Sequence, residues 1–296
     1  MFPSIQTDFA TQQSDFPIGF TGSNPVMPLP AKSDRKTHAA VTPPLPSIAT
    51  TYVWGIDYSI VNMAETLDFI DVMVQQRVPG YAITANVNYA MLCESSPRLK
   101  DFTDRSQLVL CDGMPILWRS RLNKNPLPER VAGADLIYSL AERSAAKGHR
   151  IFLMGGAEEV AQETAKLLRQ QFPKLIIAGV ECPPFRQLSV DEHEKLCDRI
   201  RKAKPDILMV AFGQPKGEFW IEENYLELGV PLSIQLGASF DFIVGKAKRA
   251  PQWIQHIGME WLYRTASDPK RLLPRYIKNS WYLFKAIRSD LLNATK

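Results

Sequence analysis

Asp112 is the residue whose type and position most plainly invite chemistry. It ends the apolar run 108–111 and stands before Gly113, in Cys111-Asp112-Gly113-Met114-Pro115. A carboxylate at the end of a buried strand can take a proton from a substrate hydroxyl. It can equally cap the next helix or close a turn, and carboxylates of that kind outnumber catalytic ones by roughly several to one. Thr84-Ala85-Asn86-Val87-Asn88 places hydroxyl and amide groups just past another apolar run, where they could orient a sugar or phosphate. For Asn86 the competing role is the N-cap of a helix.

Three more segments belong to the same search. Gly155-Gly156 follows the run 150–154 and opens a helical pattern, so its backbone N–H groups could hold an anion. The sequence there is not G-x-G-x-x-G, and Glu158 and Glu159 would repel a phosphate, which disfavours a direct dinucleotide site. Phe212-Gly213-Gln214-Pro215-Lys216-Gly217-Glu218 presents Gln214 and Lys216 on a glycine-rich turn, and such a lysine can neutralise phosphate or simply be solvated. Gln235-Leu236-Gly237-Ala238-Ser239-Phe240-Asp241 holds a serine without G-x-S-x-G, so a hydrolase elbow is unsupported.

The motifs that are missing narrow the chemistry. There is no H-E-x-x-H, no Walker loop and no D-x-D triplet, and His38, His149, His193 and His256 are scattered. Neither an obligatory metal nor a resident cofactor is expected. Cys93, Cys111, Cys182 and Cys197 show neither C-x-x-C spacing nor the density of a disulfide scaffold, which points to a reducing compartment.

These residues need a scaffold, and the apolar periodicity supplies one. Strand-like runs at 52–56, 80–84, 108–111, 150–154, 175–180, 207–212 and 232–236 alternate with helical patterns such as 63–76, 134–147 and 158–172. That alternation predicts a mainly parallel α/β sheet, whose ligands gather outside the C-terminal strand ends where the segments above lie.

Both ends of the chain differ from this middle. The first 50 residues hold 8 of the 22 prolines and 11 Ser/Thr, the composition of a disordered leader. Residues 242–296 carry 11 basic and 3 acidic side chains within a chain whose net charge is +4, with eight aromatics interleaved. The modest total argues against a uniformly cationic nucleic-acid coat. From about Arg271, the residues Leu273, Tyr276, Ile277, Trp281, Phe284, Ile287 and Leu291 fall on one helical stripe flanked by cations. A helix lying in a membrane interface has that pattern, and so does one packed on its own domain. A second copy of the chain is another partner such a surface admits. The expected division is therefore a leader over 1–50, an α/β domain over 51–245 and a membrane-associating appendage over 246–296.

Taken in order, several of these segments resemble the WecG/TagA/CpsF glycosyltransferases, glycosyltransferase family 26, over about residues 52–285. The resemblance rests on Thr84-Ala85-Asn86, Cys111-Asp112-Gly113, Glu129-Arg130-Val131-Ala132-Gly133-Ala134-Asp135-Leu136, Phe152-Leu153-Met154-Gly155-Gly156 and Pro205-Asp206-Ile207-Leu208. It continues through Gly213-Gln214-Pro215-Lys216, Gly237-Ala238-Ser239-Phe240-Asp241-Phe242, Arg249-Ala250-Pro251 and Glu260-Trp261-Leu262-Tyr263-Arg264 to Arg275-Tyr276. Each piece is weak, and the ordered set is specific.

The resemblance implies a Rossmann-like fold with a basic, aromatic C-terminal helical appendage. It also implies an inverting transfer of a sugar from a UDP donor to a polyprenyl-diphosphate-linked sugar, on the inner face of the cell membrane, in cell-surface or exopolysaccharide synthesis. N-acetylmannosamine, its uronic acid, glucose and glucuronic acid are the donor sugars it admits. Thr84 and Asp112 match the catalytic positions. Asn86, Arg130, Asp135, Gly155, Gly156, Gln214, Lys216, Gln235 and Asp241 are the donor-binding candidates. Arg249, Arg264, Arg271 and Arg275 match the arginines of the appendage that meet diphosphate and membrane. One departure stands out: the family usually has Pro-Lys-Gln-Glu where this chain has Pro215-Lys216-Gly217-Glu218. A non-catalytic scaffold of the same fold and a nucleotide-dependent oxidoreductase are the rival readings.

Overall fold

The computed structural model describes residues 45–184 and 186–294, without the side chains of His256, Arg271, Asn293 and Ala294. The expected leader lies outside the described residues up to position 44. Its last part is described: Leu45 and Ile48 pack on the core.

The chain begins with a hairpin, β1 (Thr50–Val53) and β2 (Ile56–Ser59), paired antiparallel with Val53 opposite Ile56. Its two-residue turn places Trp54 and Gly55 at φ 46° and 88°, the double positive φ that matches the twist of such a hairpin. This corrects the sequence reading, in which 52–56 is a single strand. Gly55 breaks that run. β2 lies against the edge of the main sheet, where Ser59 Oγ accepts the Val109 N–H at 3.1 Å. An otherwise open strand edge is thereby covered.

There follow α1 (Met63–Gln76), β3 (Gly80–Ala85), α2 (Val87–Ser95), α3 (Pro97–Asp104), β4 (Leu108–Cys111), α4 (Met114–Ser120), α5 (Gly133–Lys147), β5 (Arg150–Gly155) and α6 (Glu158–Gln171). Next are β6 (Ile176–Glu181), α7 (Val190–Ala203), β7 (Ile207–Ala211), α8 (Lys216–Leu228), β8 (Leu232–Gln235) and α9 (Ser239–Ile243). The chain ends in α10 (Gln252–His256), α11 (Glu260–Ser267) and α12 (Pro269–Ala294).

The main sheet is six-stranded and parallel throughout, in the order β4-β3-β8-β7-β5-β6. Both faces are covered. Ile207, Met209, Leu232 and Ile234 pack with α1, α5 and α6, while Leu208, Val210, Tyr81 and Ile83 pack with α2, α3, α7 and α8. Alternate residues of one strand thus enter opposite cores, so β7 reads as a continuous apolar run. The sheet turns direction beside β3: the chain leaves β3 for β4 on one side, and β8 is its neighbour on the other. This is the α/β, Rossmann-like architecture expected from the sequence, with helices at the C-terminal end.

Candidate active site

The strand order aims the loops after β3 and β4 at one place. A cavity of about 240 Å³ lies there, open on one side. Its floor comes from the strand ends, including Asn86, Asn88, Asp112 and Gly113. Its opposite wall comes from the C-terminal helices, including Gln255, Glu260, Trp261, Arg264, Arg275 and Asn279. Arg130 lines the cavity between them.

Asp112 is held by its own backbone, whose N–H donates to Ala85 O at 3.1 Å as β4 finishes beside β3. Gly113, not Asp112, occupies the N-cap of α4, and no side chain caps that helix. The N-cap role foreseen for this carboxylate is therefore not the one it has. Burial pushes its pKa up to about 6; Arg130 and Arg264 oppose the rise, and Glu260 and Asp135 add to it. Near neutral pH such a group is ionised yet basic enough to accept a proton.

Arg130 is fixed from three sides. It donates to Glu260 of α11 at 3.1 Å, to Gln255 of α10 at 3.1 Å and to Asp135 of α5 at 3.4 Å. Asp135 also receives Arg249, with the closest pair of atoms at 2.5 Å. Arg249 and Asp135 thus lie behind Arg130, outside the cavity lining. Arg264 stacks over the Phe242 ring at 5.0 Å and lines the cavity, as does Arg275. The side chain of Arg271 is outside those described.

Asn86 does cap α2, its side chain accepting the Tyr89 N–H at 3.1 Å, and it lines the cavity as well. Thr84 is buried, and its hydroxyl donates to Gln235 O at 3.1 Å. Gln214 joins the floor indirectly: Asn88 donates to its Oε1 at 3.1 Å, and its own amide donates to Thr84 O at 3.4 Å.

The remaining candidates are not brought into the cavity lining. The Gly156 N–H donates to Ala211 O at 3.2 Å, so it is not held open for an anion. Gly155 has φ 99°, and a Cβ there would come within 2.6 Å of the Phe212 ring, so close approach and turn geometry account for this glycine. Lys216 is the first residue of α8 and Asp241 sits in α9. Gln235 is buried, and its Nε2 has no hydrogen-bond partner. A Cβ at Gly217 would lie 2.6 Å from the Gln235 side-chain carbon. The room beside position 217 is thus taken up by the amide of Gln235, a physical reason for the glycine at the site of departure from the family pattern.

Sequence reasoning missed Glu260, Gln255, Asn279 and Tyr276 as site residues. Glu260 stood inside a recognised segment, but nothing in its local spacing ties it to Arg130, 130 residues away.

A parallel α/β sheet with Asp112, Glu260 and three arginines, Arg130, Arg264 and Arg275, around a strand-end cavity has the groups to take a proton from an alcohol beside an anionic group. The description "Glycosyl transferase WecG/TagA/CpsF family" matches residues 51–296, and the chain belongs to that family. Among similar proteins is the N-acetylglucosaminyldiphosphoundecaprenol N-acetyl-beta-D-mannosaminyltransferase of Bacillus spizizenii, 30% identical over 209 residues, 69% of this chain and 79% of the relative. The Bacillus subtilis (strain 168) protein of the same name is 31% identical over 234 residues, 77% of this chain and 89% of the relative.

Proposed function

We propose that the cavity is the active site of an inverting, metal-independent glycosyltransferase that uses a UDP-sugar donor and a polyprenyl-diphosphate-linked sugar acceptor. The names of the relatives put N-acetylmannosamine first among the donor sugars and an N-acetylglucosaminyl diphospholipid first among the acceptors. The observation that carries the reading is Asp112 facing arginines of the C-terminal helices across one cavity.

In the proposed step the acceptor hydroxyl gives its proton to the Asp112 carboxylate while its oxygen attacks the anomeric carbon. The bond from that carbon to the β-phosphate oxygen breaks, its electron pair stays with UDP, and the configuration inverts. Arg130, Arg264 and Arg275 stand where the departing diphosphate would need positive charge, and a guanidinium fork suits phosphate oxygens. Arg249, paired with Asp135 behind Arg130, stands outside the cavity lining and adds positive charge only from that distance.

The acceptor is a lipid, and the outer face of α12 suits a lipid surface. Leu273, Ile277, Trp281, Phe284, Ile287 and Leu291 are exposed there, Ile277 at 60% and Trp281 at 61%. Lys285 stands over the Trp281 ring at 5.7 Å. Apolar rings with cations around them favour the membrane interface. None of the described helices is long and apolar enough to cross a membrane. We read the enzyme as peripheral on the inner face of the cell membrane, within polysaccharide synthesis.

The test is transfer from UDP-N-acetylmannosamine to a short-chain N-acetylglucosaminyl diphospholipid. The wild type turns over and Asp112→Asn does not, with its fold intact. Equal turnover by both proteins would overturn the assignment of the base, and no transfer with any of the four named UDP-sugars would favour the scaffold reading.

A further inference from the structure

The cavity holds a second acid that the proposed proton transfer does not use. Glu260 lines it from the helical wall. A carboxylate there opposes a diphosphate, and a neutral residue would not. The first turn of α11 suits an acid, but the helix dipole does not call for one that reaches Arg130.

Arg130 and Asp112 line the same cavity with different partners. The Arg130 guanidinium is taken up entirely by other groups: Nη1 donates to Glu260 at 3.1 Å, and Nη2 donates to Gln255 at 3.1 Å and to Asp135 at 3.4 Å. The Asp112 side chain makes no hydrogen bond or ion pair among the described residues, although three arginines share the cavity with it. A guanidinium and a carboxylate left free at such a place would pair. That pairing would hold Asp112 ionised and weaken it as a base. The Arg130 and Glu260 side chains are only 16% and 18% exposed, so water and salt screen their attraction less than that of a surface pair.

We propose that Glu260 is a positioning residue: it holds Arg130 on the helical wall and so leaves Asp112 unpaired for the acceptor's proton. The inference rests on the reading of Asp112 as the base. Burial is the main cause that lifts the Asp112 carboxyl to about 6; Arg130 leads the groups that hold it down, and Glu260 leads the charges that raise it. Arg264 of α11 also favours the ionised form and Asp135 of α5 opposes it. Arg249, Arg275 and the adjoining Cys111 complete the charged and titratable surroundings. Of the acids among them, Glu260 alone both lines the cavity and binds Arg130.

The test follows the Asp112 carboxyl directly, by NMR titration of the full chain carrying isotopically labelled aspartate, its signal being the one missing from Asp112→Asn. In wild type it should titrate near 6. Glu260→Leu leaves Arg130 without that partner and should lower the value by about one pH unit, and the acid limb of kcat/KM should move with it. In an Arg130→Gln background the same change should move it less than half as far, because the effect runs through the guanidinium. A purely structural role for Glu260 would lower turnover at every pH and leave the titration in place. An unmoved or raised value in Glu260→Leu, or an equal fall in both backgrounds, would overturn the proposal. Should Glu260→Leu not fold, Glu260→Gln must lower the value in the same direction, and no change would overturn it as well. Full turnover by Asp112→Asn would instead remove the base, whatever the titration shows, and the role given to Glu260 with it.

Discussion

The floor of the cavity and its helical wall are built in opposite ways. The floor hangs from strands buried on both faces: Leu108, Leu110, Leu208 and Met209 are wholly or almost wholly enclosed, and Asp112 follows directly from that sheet. The wall is tied down by polar bonds. Arg119 of α4 holds Asp290 of α12 at 2.7 Å, Trp54 reaches the same carboxylate at 2.9 Å, and Arg130 holds Glu260. Buried Leu272 and Tyr282 anchor α12 while much of its length faces outward. The difference teaches a division of labour. On the proposed function, the group that would take the proton sits where packing fixes it, and the groups that would gather anion and lipid sit on a part latched by charge.

The comparison breaks most decisively at the floor. Asp112→Asn should lower kcat by about 10²–10⁴-fold with the melting temperature nearly unchanged, measured by product formation and circular dichroism. On the wall, Arg264→Ala should cost about 10²-fold in kcat/KM, and Arg264→Lys should recover only part of it. If the wall were merely a cover, this change would leave the rate within about threefold.

The outer face of α12 separates binding from chemistry. Deleting residues 246–296 would confuse the two, because it removes buried Leu272 and Tyr282 along with the surface. The double change Ile277→Asp and Trp281→Asp is cleaner. It should reduce binding to anionic vesicles by at least about tenfold while turnover on a water-soluble short-chain acceptor persists. The pH profile sharpens the floor's part. With the Asp112 carboxyl pushed up to about 6, its protonated form cannot accept a proton, so kcat/KM should fall about tenfold per unit as pH drops below that value and level off above it.

The smallest effect concerns stability alone. Glu218 is buried, its Oε2 lacks a partner, and burial pushes its pKa up to about 8. The folded pKa exceeds the unfolded one, so this group's contribution is full below about pH 4.5 and is lost as pH rises through 8. Glu218→Gln should flatten that decline and stabilise the protein at pH 8 by on the order of 1 kcal/mol, read from urea melts at pH 5 and pH 8.

The sheet was legible because β3, β4, β5, β7 and β8 are short apolar runs separated by helical periodicity, and a period of two or 3.6 survives in the residues alone. The hairpin was misread because a positive-φ turn at Trp54-Gly55 fits inside what looks like one strand. Of the site, Asp112, Asn86, Arg130, Arg264 and Arg275 were found, the first two by their place after apolar runs and the arginines through the ordered family segments. Glu260, Gln255 and Asn279 were not, since each acquires meaning only when the C-terminal helices fold back over strands more than 100 residues earlier. Gly155 and Gly156 misled for a related reason: their backbone is committed to Phe212 and Ala211, partners that local sequence does not reveal.

A crystal structure with UDP bound tests the central claim most directly. The account predicts the diphosphate in the cavity between Arg130 and Arg264, on the Asp112 side of the sheet. A diphosphate bound instead beyond β6, at the far edge from Asp112, would contradict it.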